Sequence, residues 1–265
     1  MRTRAVAEGK PPQQMADGPT TIRIAAAGDI HCHKGNREHV LAAFAALEDI
    51  DLVLLAGDLT THGEPEQAMI LVDACRDLGV PVFAVLGNHD WHAARAGELT
   101  ALLQQAGISV LDRAAATCAV AGVEVGIVGA KGFVGGFPGS HLPDFGEPVL
   151  RQLYTETTRE VDSLARGLKA IAHCPIRIVL LHYAPVADTL AGEPEGIWMM
   201  LGSDRLAAPI AEHEPDMVLH GHAHSGTFRG AVGAVPVYNV SVPVMARDFW
   251  IFEVSDLEHV TAPVH

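Results

Sequence analysis

The sequence predicts an α/β fold with one parallel β-sheet and a second, partly antiparallel one. Three observations carry that expectation. Short apolar runs repeatedly stop at a glycine, or directly at an Asp, Asn or His. The first three such stops, Asp29, Asp58 and Asn88, stand 29 and then 30 residues apart, about the length of a strand-helix-strand unit. After residue 117 the rhythm changes to two apolar runs separated by Ala121-Gly122-Val123, the pattern of a hairpin.

In chain order, residues 22–27 are short, largely apolar and closed by Gly28, which suits a strand buried on both faces better than a helix. Asn36 is suited to cap a helix that carries Val40, Leu41, Phe44 and Leu47 along one side. Residues 52–56 give a second buried strand. Pro65 fits the first turn of a second helix, with Met69 and Val72 on its inner face and Gly79 as its stop. Residues 82–86 are the third strand, and a helix over 98–106, ended by Gly107, leads to 108–111. The hairpin pairs 117–120 with 124–128. In open parallel sheets ligands sit beyond the carboxyl ends of the strands, where Asp29, Asp58 and Asn88 all fall.

Residues 131–148 are rich in Gly and Pro, include Phe133, Phe137, His141 and Phe145, and exceed most connections in length. A surface excursion is expected there, with a substrate-facing loop as the alternative. A long amphipathic helix follows, its stripe formed by Leu150, Leu153, Val161, Leu164, Leu168 and Ile171. Residues 176–181 then deliver His182. In the next loop, 183–202, Trp198-Met199-Met200 is assigned to packing or to a contact between copies of the chain, a pocket wall being the alternative. Residues 217–219 lead to His220-Gly221-His222-Ala223-His224, and 235–240 and 249–254 are expected to return to the second sheet.

With 265 residues, 49% of them hydrophobic and 19% charged, the chain can bury a substantial core. One domain over 21–265 is expected, behind a mobile leader at 1–20 whose Pro11-Pro12-Gln13-Gln14 replaces the apolar core of a secretory signal. A formal charge of -14 argues against a nucleic-acid surface, which needs clustered Lys and Arg. Small anionic substrates remain compatible if metal supplies positive charge locally. Cys32, Cys75, Cys118 and Cys174 are far apart and form no C-x-x-C pair, so reduced, intracellular thiols are expected. No window reaches the ~18 apolar residues of a membrane span. The expected protein is therefore soluble and cytoplasmic, with no membrane partner and with self-association left open.

The stops themselves carry ligand chemistry: Gly28-Asp29-Ile30-His31, Gly57-Asp58, Gly87-Asn88-His89-Asp90, His182 and Gly221-His222-Ala223-His224. In extended chain, side chains two positions apart point the same way, so Asp29 with His31, and His222 with His224, can each face one site. A lone histidine at a strand end is more often a hydrogen-bonded core residue than a ligand. Five such stops together favour metal. The set resembles the calcineurin-like metallophosphoesterase superfamily, with its pattern D-x-H, GD, GNH[DE], H and GHxH, and the resemblance spans residues 29–224.

That resemblance implies a four-layer αββα sandwich, two mixed β-sheets flanked by helices, with a dinuclear metal site at strand C-terminal ends. It implies that Asp29, His31, Asp58 and His224 hold one ion, that Asp58, Asn88, His182 and His222 hold the other, and that a hydroxide shared between the ions attacks. His89 is left free of metal, as general acid or donor to the phosphoryl group, with Asp90 orienting it. Nitrogen and oxygen ligands suit Mn, Fe or Zn. His220 is expected behind the ligands, His33, His62 and His92 at the surface or pocket edge, and Cys32 pointing away from the metal.

The run Gly57-Asp58-Leu59-Thr60-Thr61-His62-Gly63 lacks the Asp-Arg of Ser/Thr protein phosphatases and the tyrosine that follows the aspartate in purple acid phosphatases. His89 separates the chain from branches that replace this histidine, including the retromer scaffold subunit. The resemblance is strongest to small bacterial phosphodiesterases of the cyclic-nucleotide type. The expected function is hydrolysis of small or activated phosphodiesters, with a broad phosphomonoesterase as the alternative and a non-catalytic scaffold of the same fold as the remote one.

Overall fold

A strand of four to seven residues cannot pay its way as an isolated helix, but a run of Val, Ile, Leu and Ala fits a sheet covered on both faces. The structure, a computed structural model, describes residues 20–255, so the expected leader, save Thr20, lies outside the described residues. In its first half, β1 (Thr21–Ala27), α1 (Arg37–Ala45), β2 (Leu52–Ala56), α2 (Pro65–Cys75), β3 (Val82–Val85), α3 (Ala96–Gln105) and β4 (Ile108–Val110) alternate. Strands β1 to β4 pair in parallel, in sequence order. Every residue of β2 and β3 is buried.

The second half contributes β5 (Ala114–Val120), β6 (Val123–Gly129), α4 (Pro148–Ala170), β7 (Ile176–Leu180), α5 (Trp198–Leu201), α6 (Ala207–His213) and β8 (Met217–His220). It ends with β9 (Arg229–Val232), β10 (Val235–Asn239), α7 (Val242–Met245) and β11 (Trp250–Ser255). The second sheet runs β5-β6-β7-β8-β10-β9, with antiparallel edges around a parallel centre. The β5–β6 turn is Ala121-Gly122, both at positive φ (49° and 85°), the conformation of a type I′ hairpin. It is one residue shorter than the sequence pattern suggests.

Period-two alternation decides the layering. In β6 to β8, Val125, Ile127, Ile178, Leu180, Met217 and Leu219 join the core shared with β1 to β3. Their neighbours Val128, Val179 and Val218 instead meet Leu164, Leu168 and Ile210 of α4 and α6. The two mixed sheets therefore pack face to face, with helices outside each. Tyr238 of β10 and Phe252 of β11 stack across the interface with ring centroids 4.8 Å apart.

That contact marks a correction. β11 was expected in the second sheet but pairs antiparallel with β1, Ile24 opposite Phe252, at the edge of the first. Hydrophobic period says which face a strand buries, not which free edge it joins. On α2 the buried residues are Pro65, Ala68, Ile70 and Leu71, with Val72 half-buried against the core, while Met69 is 40% exposed. The helix closes at Cys75, and Gly79 follows the turn beyond it at positive φ (68°). Asn36 precedes α1 without capping it: its amide donates to the carbonyls of Ile30 and His31 and its oxygen accepts from the His33 N–H. The side chain braces the loop after β1 instead.

Helix α4 buries Leu164, Leu168 and the adjacent Ile171, while Leu150, Leu153 and Val161 are half-buried. It also buries Thr157, Glu160 and Ser163, which an apolar stripe does not reveal. Glu160 accepts from Arg113 Nε at 2.8 Å and from the Gly132 N–H at 3.0 Å. The 131–148 segment divides accordingly. Gly132 and residues 134–137 are buried, with the Gly136 N–H donating to the Gly202 carbonyl, whereas 138–141 and 143–147 are exposed. Among the described residues no helix is long and apolar enough to cross a membrane.

Candidate metal centre

Five strand ends converge. β1 leads to Asp29, β2 to Asp58, β3 to Asn88, β7 to His182 and β8 to His222, and all five strands are parallel within their sheets. The chain turns sharply as it leaves them: Asp29, His31, Asp58 and His222 have positive φ of 58°, 48°, 48° and 70°. Non-glycine residues in this region cost of order 1–3 kcal/mol each and collect at functional sites. Backbone bonds hold the strain, since the N–H groups of Asp29, His31 and Cys32 donate to the carbonyls of Gly57, Asp58 and Leu59. Asp29 and His31 thus converge through a left-handed turn, not through the extended chain that their spacing suggests.

Two groups of donors result. Ligand atoms of Asp29, His31, Asp58 and His224 lie within 4.8 Å of one another, as do those of Asp58, His182 and His222. Asp58 belongs to both. Asn88 Oδ1 stands 2.9 Å from His182 Nε2, which adds it to the second group. His222 and His224, expected to face one site, divide between the two groups. Two glycines permit the approach: a Cβ on Gly87 would overlap the Asp58 carboxylate, and one on Gly221 the Asp29 carboxylate.

His182 Nδ1 donates to the Ala56 carbonyl (2.9 Å), which turns Nε2 toward two oxygens, Asn88 Oδ1 at 2.9 Å and Asp58 Oδ1 at 3.4 Å. His222 Nε2 donates to the Met200 carbonyl at 3.2 Å, which puts its lone pair on Nδ1. His31 Nε2 and Asp58 Oδ2 are buried 3.7 Å apart, and neither has a hydrogen-bond partner. Orphaned buried polar atoms are rare because each costs roughly 1–3 kcal/mol. A cation between converging lone pairs removes that cost. The donor set therefore fits metal ions bound by nitrogen and oxygen.

Electrostatics agree. Burial holds His31 below the usual histidine range and takes His222 down to about 3, so both imidazoles are neutral and able to ligate. Burial pushes the Asp29 carboxyl up, but the His224 hydrogen bond and the nearby imidazoles outweigh it and hold the group below the usual carboxylate range. That same bond raises His224.

His89 stands beside the donors. Its Nδ1 donates to the Thr61 carbonyl, its ring meets His31 edge-on with centroids 4.6 Å apart, and its side chain is 43% exposed. Asp90, expected to orient it, is fully buried and bonded elsewhere: its carboxylate accepts from the N–H groups of Leu59, Thr60 and Gly87 and from Thr60 Oγ1. The orienting contact on His89 comes from Thr61, and Asp90 laces the Asp58 loop to the Asn88 loop. Main-chain carbonyls such as Thr61 and Met200 carry no sequence signal.

Of the remaining histidines, buried His220 bonds Gly221 O and Thr189 Oγ1, and His33, His62 and His92 are exposed. Cys32 is buried, joins neither donor group, and has its thiol pushed up to about 12 by burial. Trp198 packs with Phe137, Ala184 and Leu190, and Met199 with Tyr183. The Met200 side chain is exposed, while its carbonyl accepts from His222 Nε2.

Two facing mixed sheets thus gather carboxylate, amide and imidazole groups at their strand ends in an arrangement able to hold metal ions. A model of the calcineurin-like phosphoesterase family matches residues 22–226, and the chain belongs to that family of metal-dependent phosphoesterases. No curated protein matches its sequence. Among solved structures, phosphopantetheinyl hydrolase from Mycobacterium tuberculosis is similar at TM-score 0.61 and 16% identity, over 83% of this chain and 89% of that one. A protein described as a 5′-nucleotidase from Staphylococcus aureus is similar at TM-score 0.58 and 15% identity, over 92% of this chain. The match spans about half of that second protein, 53% of its chain. At such identities the likeness is one of fold.

Proposed function

We propose that the chain hydrolyses small phosphodiesters, with Asp29, His31, Asp58 and His224 holding one metal ion, Asp58, Asn88, His182 and His222 holding a second, and Asp58 bridging. The observation that carries this reading is the pair of donor groups sharing Asp58, in which His31 Nε2 and Asp58 Oδ2 have no partner. Two bound Mn, Fe or Zn ions would supply the charge that neutralises phosphoryl oxygens and activates water near neutral pH.

The chain's own residues do the rest. His89, pinned by Thr61, presents Nε2 on the open side of the site, where it protonates the departing oxygen. Asp90 keeps Asp58 and Asn88 in register through the loops it joins. A diester is favoured by the likeness of Gly57-Asp58-Leu59-Thr60 with Gly63, followed by residues 85–90, to diesterases and by a cavity beside Asn88 that can take a second ester arm.

The test is a panel of mono- and diesters, p-nitrophenyl phosphate, bis(p-nitrophenyl) phosphate and cyclic nucleotides, on Mn-reconstituted protein. Diester kcat/KM should exceed monoester kcat/KM at least tenfold. The reverse preference would replace this reading with a monoesterase, and no hydrolysis at full metal content would leave a scaffold.

A further inference from the structure

The cavity beside Asn88 measures about 440 Å³, and Trp91, Phe133, Tyr183 and Lys131 line the part of its wall that matters here. Lys131 is fixed to the centre through its backbone, because the N–H groups of His182 and Tyr183 both donate to its carbonyl at 3.0 Å. Its ammonium lies 4.3 Å from the Phe133 ring centroid and 5.0 Å from that of Tyr183. Rings at this distance attract the cation but accept no strong hydrogen bond. Its one hydrogen bond goes to the Gly132 carbonyl at 3.2 Å.

The other cations of this wall are spoken for. Arg113 pairs with Glu156 and, at 2.8 Å, with Glu160, and Arg159 pairs with Glu156 at 3.0 Å. Asp112 also lines the cavity but is exposed, where water and salt screen its charge. Glu156 and Glu160 also line this wall and attract Lys131 electrostatically, but both are engaged by arginines, and among the described residues no carboxylate stands within ion-pair distance of the ammonium. An ammonium between two rings, with donors to spare, is a receptor for an oxyanion.

Its placement says which oxyanion. The Tyr183 ring centroid lies 4.4 Å from that of His222 and 5.0 Å from Lys131 Nζ. Tyr183 thus adjoins both the lysine and a donor residue, and Lys131 lines the cavity that opens beside Asn88, so its ammonium meets a part of the ligand carried into that cavity. We propose that Lys131 binds an oxyanion, phosphate or carboxylate, carried on the organic arm of the substrate, and so sets a preference for esters bearing a second negative charge. This inference rests on the phosphoesterase reading.

The test uses full-length, Mn-reconstituted protein and three p-nitrophenyl phosphodiesters whose second arm is ethyl, 2-carboxyethyl or 2-phosphonoethyl. The wild type should favour one or both anionic arms, and which of them it favours separates carboxylate from phosphate. Loss of a charge-assisted hydrogen bond in a cavity reads as roughly 10- to 100-fold. In Lys131→Met the ratio of kcat/KM for the favoured anionic arm over the ethyl arm should fall by that factor, chiefly through KM, at full metal content, and Lys131→Arg should restore part of it. An unchanged ratio in Lys131→Met, or a wild type without preference, would overturn the role of Lys131 while leaving the phosphoesterase reading intact. Failure of the wild type to hydrolyse any of the three would overturn both.

Discussion

His89 Nδ1 donates to the carbonyl oxygen of Thr61 at 2.8 Å, and this single contact turns Nε2 toward the Asp58 carboxylate, 4.0 Å away. A carbonyl only accepts, so the Nδ1 proton is fixed and Nε2 is the nitrogen that exchanges protons with a ligand. His89→Asn should therefore lose most on esters with a basic alkoxide leaving group, about 10²- to 10⁴-fold in kcat/KM, and little on p-nitrophenyl esters. Comparison of the two substrate types at equal metal content checks this. Equal losses would make His89 an electrostatic donor to the phosphoryl group instead.

Asp90 belongs to neither donor group, yet four hydrogen bonds end on its carboxylate. Asp90→Asn turns an amide N–H toward backbone N–H groups that have no other partner, a loss of ~2–4 kcal/mol. A lower urea midpoint together with reduced hydrolysis is the expected outcome. A variant as stable as wild type would show that the two loops hold their register without it.

Gly87→Ala should act more locally. Its Cβ would occupy the space of the Asp58 carboxylate. Circular dichroism should show the sheets intact, while elemental analysis shows metal lost and hydrolysis falls at least ~100-fold, as when a preorganised charge is displaced. Full metal content would mean that the Asp58 loop can relax away from the added methyl.

β1 to β3, the hairpin and the residues that gather into the two candidate donor groups were legible because each rests on local chemistry. Apolar runs of strand length, a helix-long interval and Asp, Asn or His beside glycine are all visible without tertiary context. β11 was misplaced because pairing with β1 is a choice between free edges. The convergence of Asp29 and His31 was expected for the wrong reason, since left-handed φ at non-glycine residues leaves no mark in composition. The second contacts were hidden altogether: Thr61 and Met200 act through carbonyls that every residue possesses.

Glu160 illustrates the same limit in the core of α4, where a buried carboxylate interrupts an apolar stripe and is matched by Arg113. Arg113→Met strands that charge and should cost ~3–5 kcal/mol. Arg159→Met removes a pair whose arginine side chain is 64% exposed and should cost under ~1 kcal/mol. Urea denaturation of the two variants side by side gives the contrast, and similar losses would mean that Glu160 finds another partner.

The most direct test of the whole account is the metal stoichiometry of folded protein. After reconstitution with Mn(II) and removal of excess, wild type should retain about two ions per chain, as two donor groups sharing one carboxylate require, and Asp58→Asn about one or fewer. A wild type that folds but holds no more than one ion, or an Asp58→Asn variant that keeps two and hydrolyses phosphoesters at the wild-type rate, would contradict the shared bridge on which the site is built.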